Sequence, residues 1–130
     1  MIEKLAKLLT NNTFAEKVFF TNSGAESVEC AIKIARRFFF SIGQSEKNRI
    51  ISFEGSFHGR TMGTISAAGS RKLLEGFGPK LPGFDPIKKF SLESVEKKIS
   101  RQTCAILVEP ILGEGGIVPL TCSFLKGLKN

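Results

Sequence analysis

Three short runs of this chain, "KVFFT" at residues 17 to 21, "RIISF" at 49 to 53 and "CAILVEP" at 104 to 110, are apolar with almost no polar alternation. A strand that is apolar on both sides needs both sides covered, which is the situation of a parallel sheet flanked by helices. Segments with helical periodicity separate the runs. "IEKLAKLL" at 2 to 9 sets Ile2, Leu5, Leu8 and Leu9 on one stripe before the turn formers "TNNT". Residues 25 to 39 put Val28, Ala31, Ile32, Ala35 and Phe39 on one face, with Glu29 and Lys33 spaced to pair one turn apart on another. Leu92, Val95 and Ile99 repeat the pattern over 91 to 101. The stretch "EGSFHGRTMGTISAAGS" at 54 to 70 has neither period and reads as a loop leading into a helix. The expected fold class is therefore α/β, a mainly parallel sheet with flanking helices. Three strands are few for that architecture. The chain starts inside a helical pattern and ends at "FLKGLKN", which looks like the first turns of another helix, so a part of a larger domain is expected.

Composition narrows the function classes. With 130 residues, 42% of them hydrophobic, and 12 phenylalanines, the chain can build one core and is not a disordered segment. No apolar run approaches the roughly 20 residues that a membrane-spanning helix needs, and no leader-like start is visible, so a cytosolic chain without a membrane partner is expected. Nineteen basic against 12 acidic residues leave a net charge of +7. The lysines are scattered through amphipathic segments and neither Tyr nor Trp is present to stack on bases, which argues against a nucleic-acid partner. Cys30, Cys104 and Cys122 are widely spaced and His58 is the only histidine, so neither a disulfide framework nor a zinc site is expected, and the cysteines read as buried thiols.

Three polar clusters stand at or near the ends of the apolar runs. "TNSGAE" at 21 to 26 reads in two ways. Ser23 and Glu26 have capping-box spacing, in which the serine hydroxyl takes the amide of Glu26 while Glu26 reaches back to the amide of Ser23. The same turn leaves the amides of Gly24 and Ala25 pointing outward at the positive end of a helix, where small side chains let a phosphate approach. "GSFHGRT" at 55 to 61 offers Phe57 as a flat ring or a core aromatic, and Arg60 as a fork for a carboxylate or a surface ion pair. "VEPILGEGG" at 108 to 116 places Glu109 before a strand-ending proline and Glu114 in a glycine-flanked loop. Spacing in sequence says nothing of the distance between two carboxylates, so a glycosidase pair is not supported. Ligands of open α/β sheets sit at the carboxyl ends of strands, which makes one composite site more plausible than three separate ones.

"VFFTNSGAESVECAIKIAR", "SFHGRTMGTISAAGS", "GFGPKLPGF" and "AILVEPILGEGGI", in this order and spacing, resemble the central part of class III pyridoxal-phosphate aminotransferases over nearly the whole chain. The resemblance implies that residues 1 to 130 are a central fragment of the large, cofactor-binding domain of a fold type I enzyme, without a complete second domain. It implies a homodimer that moves an amino group from a small amino donor to a 2-oxo acid through pyridoxal 5'-phosphate. Matched position by position, Ser23, Gly24 and Ala25 fall to the cofactor phosphate, Phe57 to its ring and Glu109 near the cofactor. Arg60 and Glu114 fall to the substrate. "FHGRT" with "GEGG" leans toward an N-acetylornithine-like donor with 2-oxoglutarate as acceptor, while ornithine, succinyldiaminopimelate and 4-aminobutyrate enzymes share the scaffold. Leu112 stands where the family usually has Gln. The Schiff-base lysine and the acidic partner of the pyridine nitrogen have no match among these residues, so no catalytic residue is assigned. The resemblance thus leaves two expectations: a part of a longer working aminotransferase, or an inactive remnant that at most binds the cofactor or another phosphate anion.

Overall fold

The computed structural model describes residues 1–129. Its centre is β1 (Arg49–Phe53), hydrogen-bonded on both edges by parallel neighbours, β2 (Phe84–Ile87) and β3 (Thr103–Ile106), in the order β2-β1-β3. Alternation along β1 divides the core. Ile51 and Phe53 point to one face, where they pack with Ile87, Val95 and Phe124. Ile50 points to the other, where it meets Ile32, Ala67 and Phe84. The first face is covered by α5 (Leu92–Glu96) and α6 (Cys122–Gly127), the second by α2 (Gly24–Ser41) and α3 (Met62–Ala68). This is the three-layer α/β arrangement expected from runs that are apolar on both sides. Phe53 is fully buried, stacked on Phe90 with ring centroids 4.7 Å apart and edge-on to Phe124 at 5.7 Å.

Two polar devices set the register. Arg49 donates from Nε and Nη2 to both carboxylate oxygens of Asp85, at 2.7 and 2.6 Å, joining β1 to β2 across the ladder. Lys98 adds a longer contact of 3.8 Å to the same carboxylate. The Arg49 fork holds the Asp85 carboxyl below its usual range against the opposing effect of burial. On the other face Arg36 of α2 donates to the carbonyls of Asn48 and Pro82, at 3.0 and 3.1 Å, and lies over the ring of Phe84. It thereby fixes the helix against the amino ends of β1 and β2.

Several sequence expectations are corrected. "KVFFT" is extended but not a strand: it has no ladder partner among the described residues, and Phe19 is 76% exposed. Backbone pairing, which apolar residues cannot supply by themselves, is what defines a strand. β2 takes its place in the sheet although its sequence is "FDPI". Asp85 is drawn in by Arg49, and an edge strand tolerates Pro86, which lacks an N–H. The helix expected over 91 to 101 is one short turn-rich element, α5, and β3 leaves the ladder soon after Ile106. A small antiparallel hairpin, β4 (Ile111–Leu112) with β5 (Val118–Pro119), and a four-residue α4 (Arg71–Leu74) were not visible in the periodicity. α1 (Ile2–Asn12) forms as expected but buries none of its apolar stripe. Glu29 and Lys33 form no ion pair among the described residues, because Glu29 is engaged elsewhere. Cys30 and Cys104 are partly buried, whereas Cys122 is exposed at the start of α6.

Burial separates two phenylalanines that look alike in sequence. Phe53→Ala should destabilise the fold by about 3 to 5 kcal/mol, since it leaves a cavity between two other rings. Phe19→Ala should leave stability within about 0.5 kcal/mol, as expected of a surface position. Urea unfolding followed by circular dichroism checks both.

Candidate functional site

The site starts at the amino end of α2. Ser23 is its N-cap, and the serine Oγ accepts the amide of Glu26 at 3.2 Å. Glu26 reaches back one residue further than a standard capping box: its Oε2 accepts the amide of Asn22 at 2.7 Å rather than that of Ser23. The Thr21 hydroxyl donates to the Ser23 carbonyl at 3.0 Å and closes the turn. With these groups occupied, the amides of Gly24 and Ala25 donate to nothing among the described residues. They stand at the positive end of an 18-residue helix, and a Cβ built on Gly24 would meet nothing within 4 Å. Two free, convergent N–H groups in open space at a helix start fit a phosphate.

The loop after β1 is seated on this turn. Gly59 has φ of 121°, a region that side chains rarely adopt, and a Cβ there would lie 2.7 Å from the Ala25 Cβ. Only glycine allows so close an approach. Thr61 caps α3 by accepting the amide of Thr64 at 3.2 Å, and its hydroxyl donates to the Glu29 carboxylate of α2. Glu29 also lies over Gly63, where any Cβ would collide with its carboxylate. These contacts hold the start of α3 against the first turns of α2. Phe57 is half-buried, and the exposed guanidinium of Arg60 lies over its ring, 5.6 Å from the centroid. Arg60 makes no ion pair among the described residues, so its fork is available to a carboxylate. The surface ion pair considered for it in the sequence is not what the structure contains.

Glu109, just beyond β3, joins this loop to the glycine-rich one. Its Oε2 accepts the amide of Phe57 at 2.8 Å and its Oε1 the amide of Gly113 at 2.9 Å. A second contact supports the junction, since a Cβ on Gly115 would lie 3.3 Å from the Gly55 carbonyl oxygen. Glu114 is exposed in the same loop and makes no hydrogen bond or ion pair among the described residues. Leu112 is buried in the β4–β5 hairpin, a position that suits an apolar side chain. His58 is only 6% exposed and its Nε2 has no partner. Burial pushes its imidazole below the usual histidine range, and the nearby Glu109 charge offsets this only in part.

All seven residues singled out in the sequence therefore belong to three adjoining segments: the α2 turn, the loop after β1 and the loop after β3. Direct contacts bind the first to the second through Gly59 and Ala25, and the second to the third through Glu109. Glu29, Gly59 and Thr61 shape the site although no pattern in the sequence marks all three. Only the spacing of Thr61 before Thr64, that of a helix cap, was there to be read. A concavity of about 930 Å³ runs along α2 past Cys30, Ile34 and Phe38, and none of Phe57, Arg60, Glu109 or Glu114 lines it. Free donors and a free cation at strand ends are a better mark of a binding site than that open apolar groove. Among the described residues no group of three or more His, Cys, Asp or Glu could hold a metal ion, and no helix is long and apolar enough to cross a membrane.

A parallel sheet whose strand-end loops meet a helix start carrying free amides is an α/β layer of the kind that receives ligands at its strand ends, and its sequence has a family. The pattern of aminotransferase class-III matches residues 1–130, and the chain belongs to that family. The acetylornithine aminotransferase of Agrobacterium fabrum is 57% identical over 98% of this chain. That of Mesorhizobium japonicum is 55% identical over the same share. Each match takes in 32% of the relative, so the chain spans about a third of the length of these relatives. Among solved structures, an (S)-enantioselective omega-transaminase from Thermomicrobium roseum superposes with a TM-score of 0.82 at 31% identity, over 97% of this chain and 32% of that one. The ornithine aminotransferase of Toxoplasma gondii superposes with a TM-score of 0.86 at 27% identity, over 98% of this chain and 31% of its own. A second structure of that enzyme reveals partial occupancy of PLP at its active site.

Gly59→Ala should lower stability by about 1 to 3 kcal/mol, the cost of holding an ordinary residue at such a φ, and should part the loop from the α2 turn. Chemical denaturation with amide chemical shifts of Gly24 and Ala25 measures both effects. The depressed His58 gives a second expectation. The unfolded chain takes up the histidine proton first, near pH 6.5. Its contribution is therefore present above that pH and is lost as the pH falls toward the folded value. Denaturation midpoints between pH 8 and 5 should fall in the native sequence and stay flatter in His58→Gln.

Proposed function

We propose that this chain forms the phosphate-binding part of a pyridoxal 5'-phosphate-dependent aminotransferase that takes its amino group from an N-acetylornithine-like donor and passes it to 2-oxoglutarate. The observation that carries the reading is the pair of free amides at Gly24 and Ala25, held in the open by the Gly59 contact beside Phe57 and Arg60. The names of the relatives support the donor, and the family supports the cofactor. In this reading Ser23, Gly24 and Ala25 hold the cofactor phosphate. The Ser23 hydroxyl caps the helix and so keeps the two neighbouring amides oriented. Phe57 would offer its half-buried ring to the pyridine ring and exclude water from that side. Arg60 receives the donor's carboxylate on its planar fork, and contact with Phe57 restricts the guanidinium to one side of the ring. Glu114, exposed in the loop after β3, would stand on the substrate side and limit which charges can enter. Glu109 stands near the cofactor. When bound, pyridoxal phosphate supplies the carbonyl that exchanges the amino group and the conjugated ring that takes up the electron pair.

The working protein in this reading is a cytosolic homodimer. The test is a transaminase assay on the full-length gene product with N-acetylornithine, ornithine, succinyldiaminopimelate and 4-aminobutyrate as competing donors. The highest kcat/KM should fall to N-acetylornithine, and preference for another donor overturns that part of the reading.

Gly24→Asp tests the cradle in the same protein. An aspartate at this position has room and suits the start of a helix, so the fold should be kept. Its charge should weaken cofactor binding at least about fivefold, because a like charge about 4 Å away costs roughly 1 to 4 kcal/mol at water-like to protein-surface dielectric. Fluorescence titration with pyridoxal phosphate reads the affinity and circular dichroism reads the fold.

A further inference from the structure

Glu109 is the one residue of the site whose functional atoms are both already spent. Each carboxylate oxygen accepts a different backbone amide, Oε2 that of Phe57 and Oε1 that of Gly113. A planar anion with its two acceptors on two loops is a clamp, and charge-assisted bonds of 2.8 and 2.9 Å make it a stiff one. The choice of amides matters. The Phe57 N–H belongs to the residue whose ring supports Arg60, so the bond fixes the backbone from which both side chains are displayed. The Gly113 N–H precedes Glu114, so the other bond fixes the backbone that carries the second charged side chain of the site. Pro110 follows the clamp, and its fixed φ restricts the backbone immediately after Glu109, which already lies beyond β3. His58 does not neutralise the carboxylate, because burial favours the uncharged imidazole.

We infer that Glu109 is a positioning residue: it locks the Phe57–Arg60 loop and the Gly113–Glu114 loop into one unit, and it acts on the bound molecule through them rather than by touching it. The clamp is a property of the fold, while its consequence for a donor molecule rests on the aminotransferase reading. If Arg60 and Glu114 are held at a set separation by one shared anchor, loosening the anchor blurs recognition of the donor before it affects the phosphate, which the α2 turn holds independently.

The experiment uses the full-length protein and the variant Glu109→Gln, which keeps one acceptor oxygen and turns an amide N–H₂ toward the other backbone N–H. Hydrogen exchange in the cofactor-free protein reads the clamp directly. Amides of both loops, 55 to 61 and 110 to 116, should exchange at least tenfold faster, as expected when a bond to a charged group is lost, while β1 stays protected. In the cofactor-loaded protein the donor KM should rise at least tenfold, with the pyridoxal phosphate affinity within about threefold of the unsubstituted protein. Unchanged exchange in both loops overturns the inference. So does loss of cofactor affinity with unchanged exchange, which would make Glu109 a direct contact. Should Glu109→Gln fail to fold, Gly113→Pro removes one of the two donors and leaves Glu109 in place. Faster exchange of the 55 to 61 loop in that variant supports the clamp, and unchanged exchange there overturns it. Because exchange is measured without cofactor, a failure of the aminotransferase reading would show separately, as absence of pyridoxal phosphate binding by the unsubstituted protein.

Discussion

Everything in this structure hangs on β1. Among the described residues it is the one strand of the parallel sheet bonded on both edges, and its side chains are buried on both faces. Ile51 and Phe53 anchor the layer containing α5 and α6, and Ile50 anchors the layer containing α2 and α3. A strand buried on four sides has little freedom, so the point at which it ends, after Phe53, is set by the whole core. The loop that begins there inherits this rigidity. That is why Gly59 can lie too close to Ala25 to admit a side chain, and why Glu109, far away in sequence, reaches the Phe57 amide at 2.8 Å.

The site is built mostly from backbone. The element proposed to bind an anion includes the amides of Gly24 and Ala25, left free while Ser23, Glu26 and Thr21 bond other groups of the turn. Its supports are Gly59, at which a side chain would collide with Ala25, and a carboxylate that binds amides. The exposed side chains of Arg60 and Glu114 make no ion pair among the described residues, so in the proposed function they would discriminate among small molecules while the main chain would hold the common phosphate. Such a division suits a family whose members share one cofactor and differ in their amino donor.

How much could be read beforehand depended on whether a signal was local. α2 was legible because its apolar face repeats at helical spacing and its cap residues lie within one turn. β1 was legible because it is apolar throughout. "KVFFT" was misread because its composition is that of a strand, while pairing depends on a neighbour that the described residues do not provide. β2 was overlooked for the opposite reason: Asp85 and Pro86 hide a strand that Arg49 and an edge position make possible.

For the site, the amino acids alone determined its chemistry: a helix start with small residues, a ring, a guanidinium and two carboxylates, each near the end of an apolar run. Motif order, since all four motifs lie on one continuous chain, also determined the family. Only the tertiary structure decided how these groups are used. It seated Gly59 on Ala25, turned Glu29 from Lys33 to Thr61, and spent Glu109 on two amides while leaving Arg60 and Glu114 free. Those outcomes depend on which backbone donors remain unpaired after the sheet and helices have formed, and that balance exists only once the chain is folded.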